Sequence, residues 1–309
     1  MNFERIIEAP FRKILIKSNQ EKYLMTDVIG NTLYHQSFSK SNVFFEINFN
    51  FPINLREKKS YRELMFDKGV YLGHHIGKEA NLKISKNKIE ISNASFDTNY
   101  NYNYNKVFWN YVIKFVLSVQ AAENSALSLK GSLLKYGKMN FLLLGRGNSG
   151  KTSISKAFLN HGFSLIANTH SIIKDSYVWG FNTWIRVRDS VGKESYELMD
   201  SSDRFSDGNL NYIILYEFNS LGKFSVSRPE PSFCRAFILY FSSSIANYDL
   251  KEDLADYFRD DNFIKKYEFL SNELKMIEKL VTGIPTYHVT CDIESEESVF
   301  ELINFLKEL

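Results

Sequence analysis

Gly145-Arg146-Gly147-Asn148-Ser149-Gly150-Lys151-Thr152, followed by Ser153, fits the phosphate-loop pattern G-x-x-x-x-G-K-[ST] at every fixed position. Met139 to Leu144 (MNFLLL) is an apolar run of strand length, and Lys151 to Leu159 (KTSISKAFL) reads as a helix opening behind the loop. Strand, glycine loop and helix in that order suit a triphosphate. Backbone N–H groups curl around phosphate oxygens, and the helix N-terminus adds partial positive charge. In this frame Lys151 reaches the β- and γ-phosphates, and Thr152 offers its hydroxyl to Mg²⁺. Arg146 either touches the γ-phosphate or points to solvent.

The loop sits mid-way in a chain of 309 residues, enough for one large or two modest domains. A net charge of +2 gives no argument for nucleic acid or a membrane surface. Cys234 and Cys291 form no metal or redox spacing, which suits a reducing, cytoplasmic setting. The N-terminal stretch is charged and lacks a long apolar core, so no signal peptide is expected. Val107 to Ala122 is the most hydrophobic segment, but Asn110 and Lys114 interrupt it. It reads as a buried helix, too short for a membrane span.

Upstream, residues 1–105 read as a β-rich N-terminal domain. Leu82–Ile84 and Ile89–Ile91 alternate apolar with polar and predict a hairpin. Asn99 to Asn105 (NYNYNYN) carries no basic residue, so it reads as a loop and not as a base-stacking platform. Neither His74-His75 nor the isolated His35 has a partner at metal-ligand spacing. Residues 106–309 form the second expected domain, of mixed α/β class. It opens with the apolar helix and the short strand pieces Ser125–Leu129 and Ser132–Leu134. Past the loop helix, Asn160-His161-Gly162 is a stop signal. Strands follow at Phe163–Ala167, Trp184–Arg188, Asn211–Phe218 and Pro285–Thr290. Ser171–Val178 continues as strand or hairpin, and Ala236–Phe241 is ambiguous. Leu250–Leu280 is helical in pattern, with a solvated acidic face, and Glu294–Leu309 is an amphipathic helix.

These pieces in this order resemble the C-terminal domain of HPr kinase/phosphorylase, whose fold is shared with phosphoenolpyruvate carboxykinase. The matching pieces are Val107–Ala122, Ser125–Leu134, the loop GRGNSGKT, His161-Gly162-Phe163, Leu165 to His170, and Ile284 to His288. The resemblance implies a kinase that uses ATP or GTP with Mg²⁺. It would act on a hydroxyl of a peptide, protein or small metabolite, with a biosynthetic pathway as one setting, and assemble as a homo-oligomer. Two departures stand out. The family places adjacent acidic residues where Asn168 and Thr169 stand, and its upstream histidine is replaced by Lys130 before Gly131.

Asn cannot take a proton at neutral pH. His170 beside it is the replacement candidate, since an unperturbed imidazole changes charge near neutrality; it would serve either as base or as metal ligand with Thr152 and Asn168. It is equally a strand-end histidine held by backbone groups. Arg188, and less so Arg186, either clamps phosphate in a bidentate fork or faces solvent. Glu217, near the end of an apolar strand, is placed like an acidic metal ligand, and Asp175 and Asp189 lie near in sequence. The rival expectation is a nucleotide-binding regulatory or partner protein that has lost catalysis.

Overall fold

The computed structural model describes residues 3–7, 9–11, 13–19, 43–49, 65–67, 70–74, 81–85, 88–92, 114–146, 149–168, 170–181, 185–188, 194–197, 205–242 and 262–309. The tract 99–105, the acidic segment 250–261, Thr169, Asp189 and the loop residues Gly147 and Asn148 lie outside them. Contacts divide the chain into two units, 1–124 with 245–271, and 125–244 with 272–309. That differs from a simple break after residue 105. Helix α1 (Lys114–Glu123), expected at the head of the second domain, falls in the first unit.

The first unit is built on a seven-stranded sheet. Its strands are β1 (Phe3–Ile7), β2 (Lys13–Ser18), β3 (Val43–Phe49), β4 (Met65–Asp67), β5 (Val70–His74), β6 (Asn81–Ser85) and β7 (Lys88–Ser92). The order is β1-β2-β3-β7-β6-β5-β4. β2, β3 and β7 run parallel, and the other neighbours are antiparallel, so the sheet is mixed. The β6–β7 hairpin is the one that the sequence alternation predicts. Ile14, Ile16, Ile47, Ile89 and Ile91 are buried, as β-branched residues at alternating positions should be.

The second unit carries the phosphate-loop segment. Its strands are β8 (Leu127–Leu129), β9 (Ser132–Tyr136), β10 (Met139–Gly145), β11 (Ser164–Ala167), β12 (Ser171–Lys174), β13 (Tyr177–Phe181), β16 (Phe205–Phe218), β17 (Ser225–Ser227) and β18 (Thr286–Cys291). A separate two-stranded sheet pairs β14 (Ile185–Arg188) with β15 (Glu194–Glu197). The helices are α2 (Lys151–Asn160), α3 (Pro231–Phe241), α4 (Asn262–Gly283), within which the division of the units falls, and α5 (Glu296–Glu308). The main path runs β11-β9-β10-β16-β13-β12-β8, with β18 on the far side of β16.

Strand β10 lies at the centre of this sheet. Phe141, Leu142, Leu143 and Leu144 are all fully buried, because both faces are covered. Phe141 and Leu143 meet Ile154 and Phe158 of α2 and Leu302, Ile303 and Leu306 of α5. Leu142 and Leu144 point the other way, into a core with Cys234, Phe237 and Ile238 of α3 and Ile277 and Leu280 of α4. The hairpin β12–β13 adds Ile173 and Val178 to that second core. Its turn carries Asp175 at φ 55, a left-handed position that Asp tolerates better than most residues. β10, β16 and β18 run parallel, so their C-terminal ends open on one edge. Among the described residues no helix is long and apolar enough to cross a membrane.

Candidate functional site

The phosphate loop leaves β10 at Gly145, which stands opposite Tyr216 of β16. A Cβ on Gly145 would lie 3.0 Å from the Tyr216 carbonyl oxygen and 3.1 Å from Ser149 Oγ. The backbone therefore passes where a side chain fits poorly. The loop closes through Ser149, whose N–H and hydroxyl both donate to the Arg146 carbonyl, at 3.3 and 2.8 Å. Gly150 is left-handed, φ 78, and a Cβ there would sit 2.2 Å from Ile293 Cδ1. Only glycine satisfies both demands.

Helix α2 then starts with no side-chain cap and no acid in its first turn. An α-helix leaves its first N–H groups without partners, and here the side chains supply none. Such an N-terminus is suited to an anion. Ser153 and Arg146 are exposed, and Thr152 is half-buried at the helix start.

Lys151 folds back over the loop. Its ammonium donates to the carbonyls of Gly145 and Arg146, the latter at 2.6 Å. An ammonium has three protons, so one is left for a phosphate oxygen. Its pKa is lowered to about 8, first by burial and then by the charge of Lys130. Both causes disfavour the cation, and an incoming polyanion would reverse the second.

Lys130 reaches this site through the sheet. Gly131 packs so tightly against Leu143 and Leu144 that a Cβ would lie 2.6 Å from Leu144 Cδ2 and 2.9 Å from the Leu143 carbonyl. Strand β12 pairs with β8 so that Ser171 faces Leu129, with His170 just before the one strand and Lys130 just after the other. The Asn168 carbonyl accepts a 2.8 Å hydrogen bond from Ser132 Oγ, next to Gly131. Lys130 thus lies within electrostatic reach of Lys151, while Asn168 is tied to β9 through Ser132. Asn168 and His170 are both buried, His170 with 5 % of its surface exposed.

The remaining candidates divide. Strand β14, which carries Arg186 and Arg188, runs beside α2. Their side chains are outside the described residues. Asp175 is exposed on the β12–β13 turn, 3.7 Å from the Lys279 ammonium. Glu217 follows Tyr216, one residue beyond the level of Gly145, and bonds His288 Nε2 at 3.0 Å. Phe233 of α3 meets the His288 ring edge-on, with centroids 5.3 Å apart. The sequence alone does not single out His288. Its only signal is alternation: 288 and 217 lie on one face of adjacent parallel strands.

Among the described residues no three His, Cys, Asp or Glu gather as a metal cluster. A Mg²⁺ ion commonly keeps several waters and binds through substrate phosphates with few protein ligands. The Thr152 hydroxyl at the loop's exit fits that mode, whereas a carboxylate cage does not.

No protein-family model matches the chain, and no curated protein matches it. Among solved structures it is similar to the Hpr(Ser) kinase/phosphatase from Coxiella burnetii. That likeness has 10 % identity and a TM-score of 0.26, and covers 59 % of this chain and 94 % of that one. The mixed α/β architecture rests on the chain's own strand order.

Proposed function

We propose that the protein is a nucleoside-triphosphate-dependent kinase of the HPr kinase-like type. The observation that carries this is the Lys151 ammonium, anchored on the Gly145 and Arg146 carbonyls at the mouth of an uncapped helix. Phosphoryl transfer asks mainly for positioning and charge stabilisation, which this arrangement supplies. The β- and γ-phosphates of ATP or GTP lie under Lys151, with the backbone N–H groups of Gly150 to Ser153 around them. Mg²⁺, held by the Thr152 hydroxyl and the phosphates with Asn168 and His170 nearby, would neutralise charge on the β- and γ-oxygens. The acceptor hydroxyl attacks the γ-phosphorus, the bond to the β–γ bridging oxygen breaks, and the hydroxyl proton passes to His170. Arg188 contacts the acceptor or the transferred group. The acceptor is a peptide, a protein or a small metabolite. Two free, buried cysteines accord with a cytoplasmic setting. A homo-oligomer is part of the same proposal.

A second possibility has its own observation. Asn168 and Thr169 replace an acidic pair, and His170 is nearly enclosed. A nucleotide-binding regulatory or partner protein without transfer activity would also look like this. Phosphorus NMR of the protein with ATP and Mg²⁺, with and without a mixture of cellular peptides and metabolites, separates the two. Growth of ADP and a new phosphoester signal supports the kinase. Line broadening of the ATP signals with no turnover in either mixture supports the binding protein.

A further inference from the structure

A groove of about 600 Å³ runs between α2 and α5. That is the size of a small-ligand site. Its lining is mixed: Ile154 and Ala157 on α2 and Ile293 and Phe300 across from them are apolar, and Asn160 and His161 add polar groups. Two exposed carboxylates, Glu296 and Glu297, stand in the first turn of α5. The Ser295 hydroxyl fixes that turn by accepting from the Ser298 N–H at 3.3 Å. The groove is continuous with the phosphate loop, because Ile293 lines it and also packs against Gly150.

A phosphate loop has a direction. Its lysine serves the β- and γ-phosphates, while the backbone running into the helix cradles the α-phosphate side. The rest of the nucleotide therefore leaves past the first turn of α2, where Ser153 and Ile154 open onto the groove. We propose that this groove holds the purine nucleoside of the triphosphate, resting on the phosphate-site assignment above. Phe300, 53 % exposed, offers the base an aromatic face, and His161, which also lines the groove, meets it edge-on at 6.2 Å. The carboxylates accept from the exocyclic amino group of a purine base and, where the base is guanine, from its ring N–H as well. They also repel any further phosphate, so the groove takes the uncharged end of the nucleotide.

The test is calorimetric titration of the full chain with Mg²⁺ and, in turn, ATP, GTP and inorganic tripolyphosphate. Phe300→Ala and Ala157→Tyr are compared with wild type, and thermal unfolding checks that each variant is folded. The exposed Phe300 makes its truncation the safer of the two. Expected is a loss of nucleotide affinity of roughly 5- to 150-fold, the range for removing one base-stacking contact. Tripolyphosphate binding should stay within about twofold of wild type, since it makes none of these contacts. Folded variants that bind ATP and GTP as wild type does overturn the groove assignment and leave the phosphate site standing. Unchanged nucleotide affinity with an altered sedimentation coefficient would give the groove to a second copy of the chain, and overturns it too. Wild type that binds neither nucleotide nor tripolyphosphate removes the phosphate site itself.

Discussion

The two sides of the candidate site are built by opposite means. On the phosphate side the work falls to backbone and one flexible cation: Gly145, Gly150, the open end of α2, and Lys151. On the other side stand residues drawn from the ends of separate strands: Lys130 after β8, Asn168 after β11 and His170 before β12. The first is contiguous in sequence and tolerates little variation, because glycine is needed where the chain is left-handed or closely packed. The second is assembled by register, so its residues can change while the cradle persists.

His170→Ala is the sharpest way to break the contrast. If the histidine is the base, turnover should fall roughly 10²- to 10⁴-fold, the usual span for general-base catalysis, with nucleotide affinity nearly unchanged. Equal turnover in single-turnover kinetics would make His170 a buried structural residue and place the base elsewhere. On the phosphate side, Gly150→Ala meets a left-handed backbone and the Ile293 side chain together. Denaturant unfolding should show a loss of roughly 2–5 kcal/mol, the sum of those two costs. A wild-type midpoint would mean that the loop and Ile293 yield freely.

Lys151→Ala removes the charged donor while sparing the backbone cradle. Affinity for ATP should drop roughly 10- to 150-fold, in line with about 1.5–3 kcal/mol for a hydrogen bond to a charged group. Unchanged binding in a calorimeter would sink the phosphate-site assignment. The smallest effect is on pH. The free Lys151 loses its proton around pH 8, and a bound triphosphate favours the charged form, so binding takes up a proton above that pH. Affinity should fall roughly fivefold between pH 8 and pH 9. In Lys130→Ala the decline should move to higher pH, because one of the two causes of the depressed pKa is gone. A flat profile in both proteins would leave Lys151 uninvolved in binding.

Much of the second unit was legible because its signals are local. Gly162 ends α2 in the left-handed conformation, φ 87, as a glycine just past a helix should. Ser171–Val178, read as strand or hairpin, is the start of the β12–β13 hairpin, and β18 falls one residue from the expected Pro285–Thr290. Other elements hid for definite reasons. Ala236–Phe241 is continuously apolar and carries no period, yet Pro231 at the first helical position was a usable start signal for α3. β16 runs back to Phe205, through Asp207 and Gly208, residues that argue against a strand. Gly208 is there because a side chain would press on Asn140 Nδ2 at 2.8 Å. In the site, the glycines at 145 and 150 and the helix that starts at Lys151 stand where the loop pattern puts them. The bond of Ser132 to the Asn168 carbonyl, and the pairing of Glu217 with His288, exist only through strand register, which no local pattern encodes.

The packing of Ile293 against Gly150 bears on the order of folding. Those two residues are separated by nearly half the chain, yet Ile293 braces the turn that opens α2. A segment that looks self-contained is thus a high-contact-order structure, and such structures are completed late. During refolding, the capacity to bind triphosphate should emerge only after the β18–α5 segment has docked, well behind the first rise in helical signal.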